Sequence, residues 1–406
     1  MGEEWAHLLA WNAIGYGIVA ALCVVILAVL FLTVPYLRRR WLPFSRLRPG
    51  DWKGYDVFGA FIVMILAPVL SIWLLSEVGF FDVVLGPEPP AGAAVEAKRI
   101  YAIRCGNLSS PLTATATLGA LLAFLYVRSC ARPHHYGLSW GRWQANVALG
   151  AAAFVVVTPI VLGVFALITL FVSDIPHPLT QIAKNGLEWF EWALIAFQAV
   201  IAAPLVEEVF HRGILLGWLR RATLGGHLVL GAMSIVLVGM TVAQFNPQPS
   251  LLDYLNPILF VILLVAGYGV MLYRTARQFH LSKEELREWR VAPAPWPEEF
   301  VRLAAADEAS DAVISIDEAR EMRLRWREAN EARVREWAEA NADLAVLGSS
   351  IFFAALHSQA WPAPVPLVIL ALVLGWMARR TQSLIGPIVL HALFNLCSYI
   401  ALFGSV

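Results

Sequence analysis

Residues 192–219 read WALIAFQAVIAAPLVEEVFHRGILLGWL. The stretch is apolar at both ends, yet Glu207, Glu208, His211 and Arg212 fall within six consecutive positions. At ~1.5 Å per residue a helix of this length is able to cross a ~30 Å hydrocarbon core. There, an ionised side chain costs on the order of 2.5–3.5 kcal/mol unless it is paired or faces water. A helix that keeps four such groups keeps them for a tight pairing or for chemistry.

The rest of the chain is of the same kind. Of its 406 residues, 59% are hydrophobic and 15% charged, against roughly half and a quarter in soluble domains. Apolar runs long enough to span recur at about 11–34, 57–79, 110–128, 147–172, 192–212, 228–244, 254–273, 345–361, 364–378 and 383–403. The predicted fold is all-α: a polytopic transmembrane helix bundle of about ten spanning helices with one soluble helical insert. The formal net charge of zero implies no bulk attraction to nucleic acid. Cys23, Cys105, Cys130 and Cys397 are scattered and suggest neither a disulfide framework nor a cysteine metal site. The start, MGEEWAHL, is acidic where a signal peptide is basic, so the first apolar run is expected to remain as a span.

Loop charges set the expected orientation. Arg38, Arg39, Arg40, Arg46, Arg48 and Lys53 follow the first span, Arg128, Arg132 and Arg142 the third, Arg220 and Arg221 the fifth, and Arg379 and Arg380 the ninth. The loops at 173–191, 245–253 and 361–364 hold one lysine and no arginine. These loops place both termini outside and the basic loops in the cytoplasm; the 80–109 loop, with Lys98, Arg99 and Arg104, dissents. The 274–344 loop is expected to be cytoplasmic as well. It has capping-box spacing at Ser282/Glu285 and Ser315/Glu318. From Ile316 to about Ala342 it reads as one solvated helix with Glu-to-Arg pairs at i,i+4 and a thin apolar stripe of Met322, Trp326, Ala329 and Trp337, lying on the membrane face. A cytoplasmic partner docking there is the alternative. The organisation expected is 1–190, membrane helices without motifs; 191–227, the motif-bearing helix; 228–344, an insert of two spans and the charged loop; and 345–406, the remaining core.

On a helix, residues four apart share a face. Glu208 and Arg212 are therefore expected to pair as a clamp, leaving Glu207, on the side of His211, free to face a cavity. Two more spans carry polar groups: Phe353 and His357 in SSIFFAALHSQAW, and His391 and Asn395 in IGPIVLHALFN. Counting rises along the helices puts these groups and Glu207 at compatible depth. Each alone reads as a hydrogen-bonded core residue or as helix-to-helix glue. Together they could form an active site, with a carboxylate as general base on water and imidazole or carboxamide groups as oxyanion donors. Equally, Glu207, His357 and His391 could bind a divalent metal such as zinc and leave a place for water. No His-Glu-x-x-His helix is present.

The order Glu-Glu-x-x-x-Arg (Glu207, Glu208, Arg212), Phe-x-x-x-His (Phe353, His357) and His-x-x-x-Asn (His391, Asn395) resembles the CPBP family, the CAAX-protease and bacteriocin-processing (Abi) intramembrane proteases. The resemblance implies an intramembrane endopeptidase in a multi-pass bacterial plasma-membrane protein, with a membrane-associated peptide or protein as substrate and the lipid bilayer as surroundings. It implies that Glu207 and His357 activate water, that His391 and Asn395 stabilise the oxyanion, and that Glu208 and Arg212 order the motif helix. The cofactor stays open between a divalent metal and none, with a slight preference for none. His211 occupies a variable motif position and is expected to be wet or to sit behind the site. Unlike the short connection usual in the family, Glu207 and His357 here are separated by two extra spans and the charged loop. A non-proteolytic scaffold or regulator is the alternative function, and a transporter a further one.

Overall fold

The computed structural model describes residues 52–90, 92–140, 142–170, 188–245, 251–289 and 316–403. Among them the chain is helical and no strand occurs. The helices are α1 (Gly54–Glu77), α2 (Phe80–Leu85), α3 (Val95–Ser129), α4 (Trp143–Thr169), α5 (Trp189–Leu219), α6 (Leu224–Phe245), α7 (Leu251–Gln278), α8 (Lys283–Glu288), α9 (Ile316–Leu356), α10 (Pro364–Thr381) and α11 (Ile385–Phe403). Seven helices are long and apolar enough to cross a bilayer; the apolar parts of α6 and α11, Leu224–Met240 and Ile385–Ile400, are shorter. The span count among described residues is thus about seven, not ten. The expected first span, 11–34, the basic residues up to Arg48, and Ser315 of the second capping box lie outside the described residues.

Two boundaries differ from the sequence reading. α3 begins at Val95, not near 110, and Pro111 lies inside it. The polar stretch before Pro111 is helical because it packs on α5, where Arg104 Nε stands 3.3 Å from the buried Glu191. The charged helix expected on the membrane face is instead the first half of α9, which runs unbroken for 41 residues into the eighth span. At ~1.5 Å per residue it is about 60 Å long, twice the hydrocarbon thickness. Its outer part carries the exposed i,i+4 pairs Glu321–Arg325 and Arg327–Glu331. Closer in, Trp337 packs against Phe279 and Trp289. Trp289 Nε1 donates to Asn341 Oδ1 at 2.8 Å, and Asn341 Nδ2 donates to the Arg220 carbonyl at 2.6 Å. The capping box at Ser282 and Glu285, which starts α8, is formed.

The layout follows from which faces are apolar. α9 and α10 are central, with 72% and 61% of their apolar windows buried, whereas α1 and α7 are peripheral at 11%. One core cluster joins α1, α3, α5 and α9 around Leu121, Phe210, Ile214 and Phe352. A second joins α4, α10 and α11 around Val161, Leu374 and Leu390. A third joins α6, α7, α9 and α10 around Val238, Phe260, Ala354 and Val368. With no hydrophobic drive between helices in lipid, close approach matters, and small residues allow it. A Cβ on Gly150 of α4 would stand 2.6 Å from the Gly386 carbonyl of α11. A Cβ on Gly213 of α5 would stand 2.9 Å from Tyr136 Cβ and 3.0 Å from its carbonyl.

Gly213→Val is therefore expected to lower stability by about 1–3 kcal/mol through overpacking against the Tyr136 turn. Gly119→Ala, where nothing lies within 4 Å of the added carbon, serves as the control. Thermal unfolding of both in the same detergent checks this; equal melting of the two would show that the close approach is not needed.

Candidate active site

α5 is not a uniform α-helix. Gln198–Ala202 and Val209–Leu215 are π-turns, and the α-helical segment Ala203–Glu208 between them carries both glutamates. Pro204 accounts for the first: it lacks an N–H and its ring presses on the preceding turn, which widens. A π-turn leaves carbonyls without their usual partners. Here two of them are taken by distant side chains. Asn395 Nδ2 donates to the Ala199 carbonyl at 2.8 Å, and Trp52 Nε1 donates to the Ile214 carbonyl at 2.9 Å. The motif helix is thus tied at both wide turns, by α11 on one side and by the residues before α1 on the other.

The buried half of the site is the Glu208–Arg212 ion pair with His391 hydrogen-bonded to it. Arg212 Nη1 donates to Glu208 Oε1 at 3.0 Å, and His391 Nδ1 donates to the same oxygen at 2.8 Å. Glu208 is 0% exposed and Arg212 5%. The Arg212 guanidinium also lies 4.5 Å over the Phe353 ring. The expected Glu208–Arg212 contact is present. Glu208 does not stand apart from the Glu207 face, however: it orients His391.

The accessible half is Glu207 and His357. Their side chains are 25% and 35% exposed, while that of His391 is 4% exposed. His357 follows the last turn of α9, and its Nδ1 is 2.8 Å from the Phe353 carbonyl. A carbonyl only accepts, so Nδ1 carries the proton and Nε2 is left facing outward. By the same logic the bond to the Glu208 carboxylate fixes the proton of His391 on Nδ1. Glu207 Oε2 is 4.0 Å from His357 Nε2 and 3.9 Å from His391 Nε2. Neither is a hydrogen bond, and this oxygen has no hydrogen-bond partner. Two imidazoles therefore present the same ring nitrogen to one carboxylate oxygen across a gap of one small molecule's reach.

Phe353 is the aromatic hub. Its ring centroid lies 4.6 Å from that of His357, 5.7 Å from His391 and 5.2 Å from His211. His211 is neither wet nor part of the Glu207 pocket: it is 1% exposed, enclosed by Phe210, Phe352 and Phe353, and its Nδ1 has no hydrogen-bond partner. The structure brings Glu207, Glu208, Arg212, His357 and His391 together. Asn395, one turn from His391, spends one amide proton on Ala199. The sequence reading missed the two π-turns and the Ala199 carbonyl; Pro204 and Gly213 were their only signals.

The donors do not suit a metal. Two zinc ligands at ~2.0–2.1 Å in tetrahedral geometry place their donor atoms about 3.4 Å apart, and Glu207 stands wider than that from both imidazoles. Among the described residues no group of three or more His, Cys, Asp or Glu is arranged to hold a metal ion.

Residues 323–397 match the family model described as Rce1-like, type II CAAX prenyl endopeptidase Rce1-like. This segment is thus similar to the CAAX-protease (CPBP) family. The matched segment runs from the charged half of α9 to Cys397 and so contains Phe353, His357, His391 and Asn395. Glu207, Glu208 and Arg212 lie upstream of it, beyond α6, α7 and α8, yet the fold returns them to His357 and His391. No curated protein and no solved structure is significantly similar to the chain. A family of membrane-embedded proteases and several apolar helices together make this an integral membrane protein.

Proposed function

We propose that the protein is an intramembrane endopeptidase that hydrolyses peptide bonds of membrane-associated substrates, working from the cytoplasmic half of a bacterial plasma membrane. The observation that carries this is the single Glu207 oxygen facing Nε2 of both His357 and His391, next to a buried Glu208–Arg212 pair. In this reading Glu207, aided by the Nε2 lone pair of His357, takes a proton from water as it attacks the carbonyl carbon. His391 differs from His357 in its anchor. Its Nδ1–H bonds to a carboxylate rather than to a neutral carbonyl. That bond holds the ring with Nε2 toward the pocket, where an N–H at this position is suited to a developing oxyanion. The second amide proton of Asn395 is the other candidate donor. Substrates of the prenylated CAAX type are those the family description names.

His391→Ala is expected to lower turnover by roughly 10²–10³, as deletion of one oxyanion donor does. Chelators are expected to leave wild-type turnover unchanged, with elemental analysis of the purified protein finding no stoichiometric zinc. Inhibition by a chelator that zinc reverses would contradict this mechanism while leaving the protease assignment intact.

A further inference from the structure

A second cavity, of about 290 Å³, lies between α6, α7 and α9 and shares no residue with the Glu207 site. Its volume is close to the ~300 Å³ lower bound of small-molecule sites. Apart from His227, Ser234 and Tyr268, every residue that lines it is apolar or glycine. Ser234 spends its hydroxyl on the Leu230 carbonyl of its own helix, at 2.9 Å. The polar pole is thus one pair, His227 Nδ1 with the Tyr268 hydroxyl. His227 is 0% exposed, and its Nε2 has no hydrogen-bond partner; the Leu219 carbonyl approaches without meeting hydrogen-bond geometry.

The two ends of the cavity differ. At the polar pole the Trp289 ring, itself buried, stands 6.5 Å from the His227 ring and closes that end. Along the side, Leu228, Ile235 and Val265 line the cavity and are exposed, so it opens between α6 and α7 where lipid lies. From His227 to Val238, a lining residue at the far end, α6 rises about 16 Å. The space is a long apolar slot with a sideways entrance and a small, enclosed hydrogen-bonding end. An apolar slot of this kind stays dry and takes apolar matter. No lysine or arginine lines the slot, so its polar end offers a phosphate headgroup no counter-charge, whereas an uncharged carboxyl group can hydrogen-bond to the His227–Tyr268 pair.

We infer that this cavity binds a single-chain lipid of the fatty-acid class, with its head at the His227–Tyr268 pair and its tail running toward Val238 and Phe260. The site is independent of the proteolytic reading, and its test needs no substrate. The full chain in lipid nanodiscs is photolabelled with a diazirine-bearing palmitic acid, and labelled peptides are mapped by mass spectrometry. The expected result is saturable labelling of α6 and α7 that unlabelled palmitic acid displaces in the wild type. In Gly231→Leu/Gly269→Leu, labelling falls by at least about tenfold. Nothing lies within 4 Å of a Cβ at either glycine, so the added side chains enter the slot without a clash at Cβ. Tyr268→Phe, which removes one hydroxyl, is expected to weaken labelling several-fold. Labelling that does not saturate, that the doubly substituted protein retains, or that a diazirine phosphatidylcholine matches on the same peptides would overturn the inference. Unchanged labelling in Tyr268→Phe would overturn the placement of the head.

Discussion

Glu207→Gln is expected to abolish cleavage, with turnover falling by at least about 10²–10⁴, the range supplied by a positioned general base. The substitution keeps the size of the side chain and its hydrogen-bonding capacity while removing the negative charge. Among the described residues Glu207 makes no ion pair closer than 3.9 Å, and its Oε2 accepts no hydrogen bond, so little stability is expected to be lost with its charge. Folded yield and melting temperature are expected to equal or exceed those of the wild type. Loss of activity accompanied by loss of fold would mean that Glu207 has a structural role the geometry does not reveal. The kinetic comparison with His357→Ala and with the double substitution completes the case. If the two side chains act on one water, the double variant loses little more than either single one, because residues that act as a unit are not additive.

Arg212→Ala is expected to cost about 3–5 kcal/mol, as removing one partner of a buried ion pair does. Glu208 has no exposure at all, and Arg212 Nη1 is one of only two donors described on its Oε1. Without the guanidinium a carboxylate is left buried without its cation, and His391 loses a fixed anchor. The ring of Phe353 also loses the cation above it. Folded yield and activity should fall together. The diagnostic experiment is the double substitution Arg212→Ala/Glu208→Gln, which removes the stranded charge and should recover much of the folded yield without recovering turnover. A single Arg212→Ala protein that unfolds like the wild type would show that the Glu208–Arg212 pair does not hold the fold, and the anchor of His391 would have to be reconsidered.

Much of the bundle was legible because lipid imposes a simple requirement: an apolar run of sufficient length has few alternatives to a helix. The errors fall where that requirement does not reach. The start of α3 reads as a loop in sequence because Lys98, Arg99 and Arg104 interrupt the apolar pattern; its helicity comes from packing, including the contact of Arg104 with a buried Glu191. The junction inside α9 carries no breaker, so nothing marks a boundary, and the charged and apolar halves form one helix. At the site, the i,i+4 spacing of Glu208 and Arg212 was sufficient to anticipate their contact. The bond from His391 to Glu208 spans 183 positions and has no local signature. The π-turns were hidden for a related reason: α- and π-turns share composition, and only Pro204 and Gly213 hint at where the helix widens. His211, expected to be wet or to sit behind the site, sits behind it, buried against the Phe353 ring.

The most direct test of the central claim is cleavage itself. Purified wild-type protein and Glu207→Gln, matched for folded amount and reconstituted in liposomes, are incubated with a library of membrane-inserted and lipidated peptides, and the products are read by mass spectrometry. The account predicts that the wild type cuts at least one peptide bond, in the presence of chelator as in its absence, and that Glu207→Gln cuts none. Equal cleavage by both proteins, or a wild type that cleaves nothing across the library, would contradict it.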